Sequence, residues 1–181
     1  MKGFERKNRY FSLCGLNCAL CPMYVGGYCP SCGGGAGNQS CRIAKCSIEQ
    51  GGIEFCFECK KYPCEHYGEE DVVDSFITYR NRRADAERAK KDIRSYIRKQ
   101  EEKEKILLWL LSECNDGRRK TLFCTAVNLL SLHQLEKVMN VLQEDKTELL
   151  KEKASLAATL LQEEAKKQGI SLSLRKNTER R

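Results

Sequence analysis

Residues 14–64 read CGLNCALCPMYVGGYCPSCGGGAGNQSCRIAKCSIEQGGIEFCFECKKYPC and hold ten of the chain's twelve cysteines. Glycine is dense in this stretch and its apolar residues show no sustained period, which favours short turns over long helices. Such a segment cannot build a hydrophobic core of its own. Cysteine-dense segments are held together by disulfides in secreted proteins and by metal ions in intracellular ones. We therefore expect cross-links to organise this part of the fold.

The rest of the chain helps to choose between these two kinds of cross-link. Residues 1–11, MKGFERKNRYF, lack the apolar core of a signal peptide. The apolar run at residues 106–111 is far too short to span a bilayer. We therefore expect a cytoplasmic protein with no membrane segment, whose thiols are reduced and bind metal.

The spacing of the cysteines is typical of zinc ligands. Three Cys-x2-Cys units occur, and such a short turn lets two sulfurs reach one metal at about 2.3 Å. The candidate ligands are Cys14, Cys18, Cys21, Cys29, Cys32, Cys41, Cys46, Cys56, Cys59 and Cys64, with His66 as an additional candidate. We predict two or three zinc ions in Zn(Cys)4-type sites. The sequence leaves open which cysteines share an ion.

Metal binding changes how the net charge is interpreted. The formal charge of +7 counts every thiol as neutral. A Zn(Cys)4 site carries about −2, so two sites would lower the net charge to about +3. The basic balance is therefore weak evidence for a nucleic-acid partner.

The first cysteine cluster allows a second interpretation. The spacing of Cys14, Cys18 and Cys21 is also that by which radical S-adenosylmethionine enzymes hold a 4Fe–4S cluster, and a proline follows Cys21 as in ferredoxins. The chain has no alternating strand and helix pattern from which a barrel could form, and seven further cysteines crowd the segment. An iron–sulfur or redox-active protein stays the alternative to zinc.

These motifs resemble a prokaryotic family known as domain of unknown function 3795. The resemblance rests on LCGLNCALCPMY (residues 13–24), CRIAKC (residues 41–46) and FCFECKKYPCE (residues 55–65), and it is specific over roughly residues 10–70. NDGRRK (residues 115–120) and FCTAVN (residues 123–128) are similar to longer clostridial members. The resemblance implies a zinc-binding protein of bacteria or archaea and brings no activity with it. The glycine-rich insert at residues 33–37 departs from the family pattern.

Beyond residue 70 the composition becomes helical. Apolar residues recur at spacings of three and four and predict a helix that ends at Asn115-Asp116-Gly117, then helices around residues 135–142 and 149–161. Alternation at residues 170–174 predicts one short strand. We expect a mainly α fold: a small irregular zinc-knuckle or ribbon-like module at residues 10–70, and an α-helical bundle of three or four helices at residues 71–181.

Basic residues suggest a third interpretation, nucleic-acid binding. Residues 75–105 hold eleven Lys or Arg against six Asp or Glu, and a basic helix there could follow a phosphate backbone. The candidate contacts are Arg80, Arg82, Arg83, Lys90, Lys91 and Arg94, together with the possible anion contacts Arg118, Arg119 and Lys120. A solvated helix face is the simpler interpretation of the same charges.

The other reactive side chains have simpler interpretations. Cys114 and Cys124 lie among Leu, Phe and Val, where a cysteine behaves as a small hydrophobe. His133 has no neighbouring pattern that suggests a triad. Structural zinc sites do no chemistry, so we favour a binding module with an unknown protein or nucleic-acid partner over an enzyme.

Overall fold

The structure is a computed structural model, which describes residues 3–35, 41–67 and 72–176. The described residues form seven α-helices and no strand, which confirms a mainly α fold. The helices are α1 (Pro22–Val25), α2 (Arg42–Glu49), α3 (Arg82–Lys91), α4 (Ile93–Glu113), α5 (Lys120–Leu129), α6 (Leu132–Glu144) and α7 (Leu150–Lys167). Short 3₁₀ turns lie at Cys18–Leu20, Cys56–Glu58 and Glu65–Tyr67. None of the described helices combines the length and the apolar composition needed to cross a membrane.

The longest helix, α4, ends where its sequence predicts. Asp92 Oδ1 accepts a hydrogen bond from the backbone N–H of Ser95 at 3.0 Å and caps its start. After its end, the backbone N–H of Gly117 donates to Asn115 Oδ1 at 3.2 Å. Gly117 has a φ of 86°, a left-handed conformation that costs glycine little. The predicted stop at residues 115–117 is therefore confirmed.

The helices α4 to α7 surround the main hydrophobic core. Its fully buried members include Leu110, Phe123, Leu135 and Leu161, one from each of these helices. Leu20 from the cysteine-rich stretch belongs to the same core. Cys114 and Cys124 are buried within this core too, which confirms that they pack as small hydrophobes.

The basic stretch of residues 75–105 is not one helix, so that prediction is wrong. Helix α3 begins at Arg82 and ends at Lys91, and α4 begins at Ile93. Between them Asp92 has an extended backbone (φ −156°, ψ 93°), because its side chain caps the new helix. The second half therefore holds five described helices, where three or four were expected.

The predicted strand at residues 170–174 is also absent: the described residues 170–176 form no strand. The guanidinium of Arg80 donates to the backbone carbonyls of Ser171 and Ser173, the latter at 2.7 Å. Arg175 donates to Asp74 Oδ1 through Nη2 at 2.7 Å. The guanidinium of Arg80 therefore satisfies two backbone carbonyls that a neighbouring strand would otherwise have to pair.

The cysteine-rich stretch is joined to α3, α4 and α5 by buried polar groups. Tyr96 Oη donates to Asn17 Oδ1 at 2.9 Å, and Asn17 Nδ2 donates to Asp85 Oδ2 at 3.0 Å. Asn128 Nδ2 donates to the carbonyl of Leu20 at 3.2 Å. These bonds hold the segment around Cys14, Cys18 and Cys21 against the helices.

Candidate metal-binding site

All twelve cysteines are free thiols. Of the ten candidate ligands, Cys41 is exposed and the other nine are partly buried. Two cavities gather most of them, and the cavities differ in which part of the stretch supplies the thiols. We call them the first and the second cysteine cavity.

The first cysteine cavity has a volume of about 200 Å³ and is lined by Cys14, Cys18, Cys29, Cys32 and Cys41. Burial raises the pKa of Cys14 to about 11, although a hydrogen bond with Ser12 Oγ at 3.4 Å opposes this rise. Burial raises the pKa of Cys18 well above its usual value, and the neighbouring Cys32 and Cys14 raise it further. Without a cation beside them these thiols therefore stay protonated.

The second cysteine cavity is smaller, about 30 Å³, and is lined by Cys46, Cys56, Cys59, Cys64 and His66. Burial raises the pKa of Cys46, and the nearby thiols of Cys64 and Cys59 add to the rise. His66, the additional candidate ligand, therefore lies beside the last four cysteines of the stretch.

Helix α2 lies between the two cavities. Cys41 at its N-cap lines the first cavity, and Cys46 within it lines the second. The two thiols, five positions apart in the sequence, therefore belong to different cavities. Leu13 and Ile43, 3% and 4% exposed, line both cavities and form the apolar wall between them.

Two glycines allow the chain to turn tightly at the first cavity. Gly15 has a φ of 94°, and a Cβ there would lie 2.7 Å from the carbonyl oxygen of Arg82. Gly33 has a φ of 79°, and a Cβ there would lie 2.7 Å from Arg6 Cγ. Gly33 belongs to the glycine-rich insert of residues 33–37, whose last two positions lie outside the described residues.

Arg6 binds the backbone beside the first cysteine cavity, a role that the sequence analysis did not predict. It is 7% exposed, and its guanidinium donates to the carbonyls of Phe11 at 3.1 Å, Glu54 at 2.9 Å and Cys32 at 3.4 Å. Burial raises the pKa of Cys32, and the charge of Arg6 works against that rise. An arginine near a chain start carries no local signal of burial, so only the fold identifies it.

The thiol of Cys21 lines neither cavity, although it is near enough to Cys18 to raise the pKa of that thiol. Burial raises the pKa of Cys21, the backbone N–H groups of Met23 and Tyr24 lower it, the nearby thiol of Cys29 raises it and the nearby Lys120 lowers it. Burial, with a smaller contribution from the nearby Cys21, raises the pKa of Cys124 to about 12. The structure therefore does not place Cys14, Cys18 and Cys21 in one cavity.

The described residues hold no ready-made metal site. Within residues 3–35, 41–67 and 72–176, no group of three Cys, His, Asp or Glu side chains has the separations that hold a metal ion. The cavities thus bring thiols to a common space, and their sulfurs are not at ligating distances.

Two of the six basic residues suggested for nucleic-acid binding are engaged within the chain, and the other four are exposed. Arg82 is 1% exposed, and Arg80 is engaged with the carbonyls of residues 171 and 173. Lys90 lies over the ring of Tyr62, with Nζ 5.8 Å from its centroid. Arg83 and Arg94 are exposed.

The three cations at the start of α5 are also partly engaged. Arg119 Nε lies 3.4 Å from Asp116 Oδ2, and Lys120 Nζ lies 5.7 Å from the centroid of the Tyr28 ring. Arg118 is exposed. An anion at this turn would therefore meet one exposed arginine and two cations that already have partners.

Residues 26–69 match the family described as Protein of unknown function (DUF3795). The resemblance inferred from the cysteine motifs is confirmed over these residues. No curated protein and no solved structure matches the chain. The match brings no activity, because the function of the family is itself unknown.

Proposed function

We propose that residues 14–64 bind two structural zinc ions and serve as a metal-stiffened binding module mounted on the helices. Cys14, Cys18, Cys32 and Cys41 bind one ion, and Cys46, Cys56, Cys59 and Cys64 bind the other. Zinc favours four thiolates in a closed structural site, and a closed site needs no catalytic residue.

The observation that carries this proposal is the division of the thiols between two cavities. Cys14, Cys18, Cys32 and Cys41 line the first, while the four cysteines from residue 46 to residue 64 line the second. Each cavity thus has the four sulfurs that one tetrahedral site requires. Cys29 also lines the first cavity and is the alternative fourth ligand there.

The chemistry of the thiols fits a divalent cation. Burial holds the pKa of Cys14 and Cys18 high, which leaves neutral thiols in a poorly solvated space. A zinc ion reverses this preference, because coordination deprotonates a thiol outright. The cysteine side chains must rotate within the cavities to bring their sulfurs to ligating distance from the ion.

An iron–sulfur cluster on Cys14, Cys18 and Cys21 is less well supported. Cys21 does not line the first cavity, and its neighbours include the thiol of Cys29 and the charged Lys120. Nucleic-acid binding is also less well supported, since Arg82 is buried and Arg80 is engaged within the chain.

Elemental mass spectrometry of protein purified without oxygen tests the proposal. We expect two zinc ions per chain and no visible absorption band in the unmodified protein. Cys18→Ser and Cys59→Ser should each lose one ion. Cys114→Ser, which removes a buried thiol of the helical core, is the matched control and should keep both ions. Iron with sulfide, or zinc content that neither ligand variant changes, contradicts the proposal.

A further inference from the structure

A second kind of cavity lies among the helices, away from the candidate zinc ligands. It has a volume of about 640 Å³ and opens between α3, α4 and the start of α6. We call it the interhelical cavity. Sites for small molecules in proteins are concave and span roughly 300–1,000 Å³, so its size suits a metabolite.

The charges around the interhelical cavity favour an anion. Arg88, Lys91, Lys99 and Lys103 line it, against the two carboxylates of Asp85 and Asp92. Asp85 Oδ1 is 2.8 Å from Arg88 Nη1, and Asp92 Oδ1 caps α4 by accepting from Ser95 N–H. Both carboxylates are thus committed within the protein, and the lysines leave an excess of positive charge.

Lys103 is the least exposed of the four cations that line the interhelical cavity. Burial lowers the pKa of Lys103 to about 8, and the nearby Asp85 only partly offsets this effect. An anion bound beside its ammonium would restore part of the stabilisation that burial removes.

The start of α6 adds to the attraction. Ser131 and Leu132 line the cavity, and α6 is 13 residues long. Ser131 Oγ accepts from the N–H of Gln134, which meets one of the open donors of the first turn. A helix N-terminus carries a partial positive charge and attracts anions to its remaining N–H groups.

A buried acceptor in the same cavity points to a ligand with a hydrogen-bond donor. Gln100 lines the cavity and is 5% exposed, and its Oε1 accepts no hydrogen bond within the described residues. The neighbouring polar groups are satisfied: Asn128 Nδ2 donates to two backbone carbonyls and Tyr96 Oη donates to Asn17. A buried polar atom of this kind is usually paired, so we expect a ligand to supply the hydrogen-bond donor for Gln100 Oε1.

We propose that the interhelical cavity binds a small hydroxylated organic anion. Its phosphate or carboxylate lies against Lys103, Lys99 and the start of α6, and a hydroxyl donates to Gln100 Oε1. A nucleic-acid strand is the competing occupant, because four cations line the cavity, and isothermal titration distinguishes the two. The site is independent of the proposed zinc ions.

Isothermal titration of the full chain tests this proposal with three small probes and one polymer. Ribose 5-phosphate represents a hydroxylated phosphate and citrate a hydroxylated carboxylate, and their relative affinities identify the anionic group. Inorganic phosphate lacks the carbon-borne hydroxyl, and a short single-stranded oligonucleotide represents the polymer. We expect saturable binding of one of the two hydroxylated anions.

Lys103→Met should weaken this binding at least tenfold. Lys105→Met is the matched control, because Lys105 lies on the same helix, is 71% exposed and pairs with Glu102; it should leave the affinity unchanged. Gln100→Leu should weaken the binding of the hydroxylated anion and leave the affinity for inorganic phosphate unchanged. If Lys103→Met does not fold, the exposed rim variant Lys99→Met carries the test and should weaken binding several-fold. No saturable binding of any small probe, equal affinities in all variants, or preference for the oligonucleotide would overturn the proposal.

Discussion

Asn17 and Asp85, 68 positions apart in the sequence, are joined by a hydrogen bond of 3.0 Å from Asn17 Nδ2 to Asp85 Oδ2. Both side chains are buried, at 4% and 6% exposure. Asn17 lies between two candidate zinc ligands, and Asp85 lies on α3 beside the interhelical cavity. One buried bond therefore connects the cysteine-rich stretch to the helical scaffold.

Replacing Asn17 by alanine should destabilise the whole chain. The change removes the hydrogen-bond donor to Asp85 Oδ2 and the acceptor of the Tyr96 hydroxyl, while Arg88 still pairs with Asp85 Oδ1. A buried polar group that loses its partner costs about 1–3 kcal/mol, so we expect a loss in that range in urea unfolding. Asn140→Ala, at an exposed position of α6, should change the free energy of unfolding by no more than about 0.5 kcal/mol. Equal effects of the two changes would show that the buried bond adds nothing.

Removing zinc should unfold one part of the chain and spare the other. If the ions are structural, a chelator should abolish amide protection in residues 14–64, since metal binding supplies the folding free energy of such segments. Helices α4 to α7 have their own core around Leu110 and Phe123, so their protection and most of the helical circular dichroism should persist. Hydrogen exchange read by mass spectrometry measures both regions at once. Unchanged protection in residues 14–64 after complete zinc removal would contradict a structural role.

Gly15→Ala should be more damaging than a change at another glycine of similar conformation. Gly15 and Gly52 have φ values of 94° and 84°, so alanine is strained at both. At Gly15 the added Cβ would also lie 2.7 Å from the carbonyl oxygen of Arg82, whereas at Gly52 it meets no atom within 4 Å. We expect Gly52→Ala to cost about 1 kcal/mol and Gly15→Ala clearly more. Thermal unfolding of the two variants gives the comparison, and equal costs would mean that the backbone shifts to absorb the contact.

Asp74 should make the free energy of unfolding depend on pH in the acidic range. Burial raises the pKa of Asp74, but hydrogen bonds from Arg175 and from the N–H of Tyr79 outweigh burial and hold the pKa below its ordinary value. Because the folded pKa is the lower one, the stabilisation is present above the unfolded value and is lost as pH falls through the folded value. Asp74→Asn should therefore cost about 1–3 kcal/mol at neutral pH. The difference in free energy of unfolding between Asp74→Asn and the unmodified chain should shrink as the pH falls from 7 to strongly acidic values. A difference that stays constant with pH would exclude this linkage.

Much of the helical architecture could be predicted from local patterns. The end of α4 follows from Asn115-Asp116-Gly117, and α6 and α7 follow from leucines at helical spacing. The break between α3 and α4 was not predicted, because Asp92 acts there as a cap while its neighbours are strong helix formers. The irregular tail at residues 170–176 was also missed, because its backbone partners are Asp74 and Arg80, about a hundred positions away.

Helical structure beyond residue 70 and the crowding of ten of the twelve cysteines into residues 14–64 follow from the chain alone, since periodicity and spacing are local properties. Only the tertiary structure decided which thiols share a cavity, that Arg6 and Arg82 are buried, and that Gln100 and Lys103 face a common recess. These relations join residues that are distant along the chain, and they arise because burying apolar surface brings separate segments together. No local pattern records which segments meet.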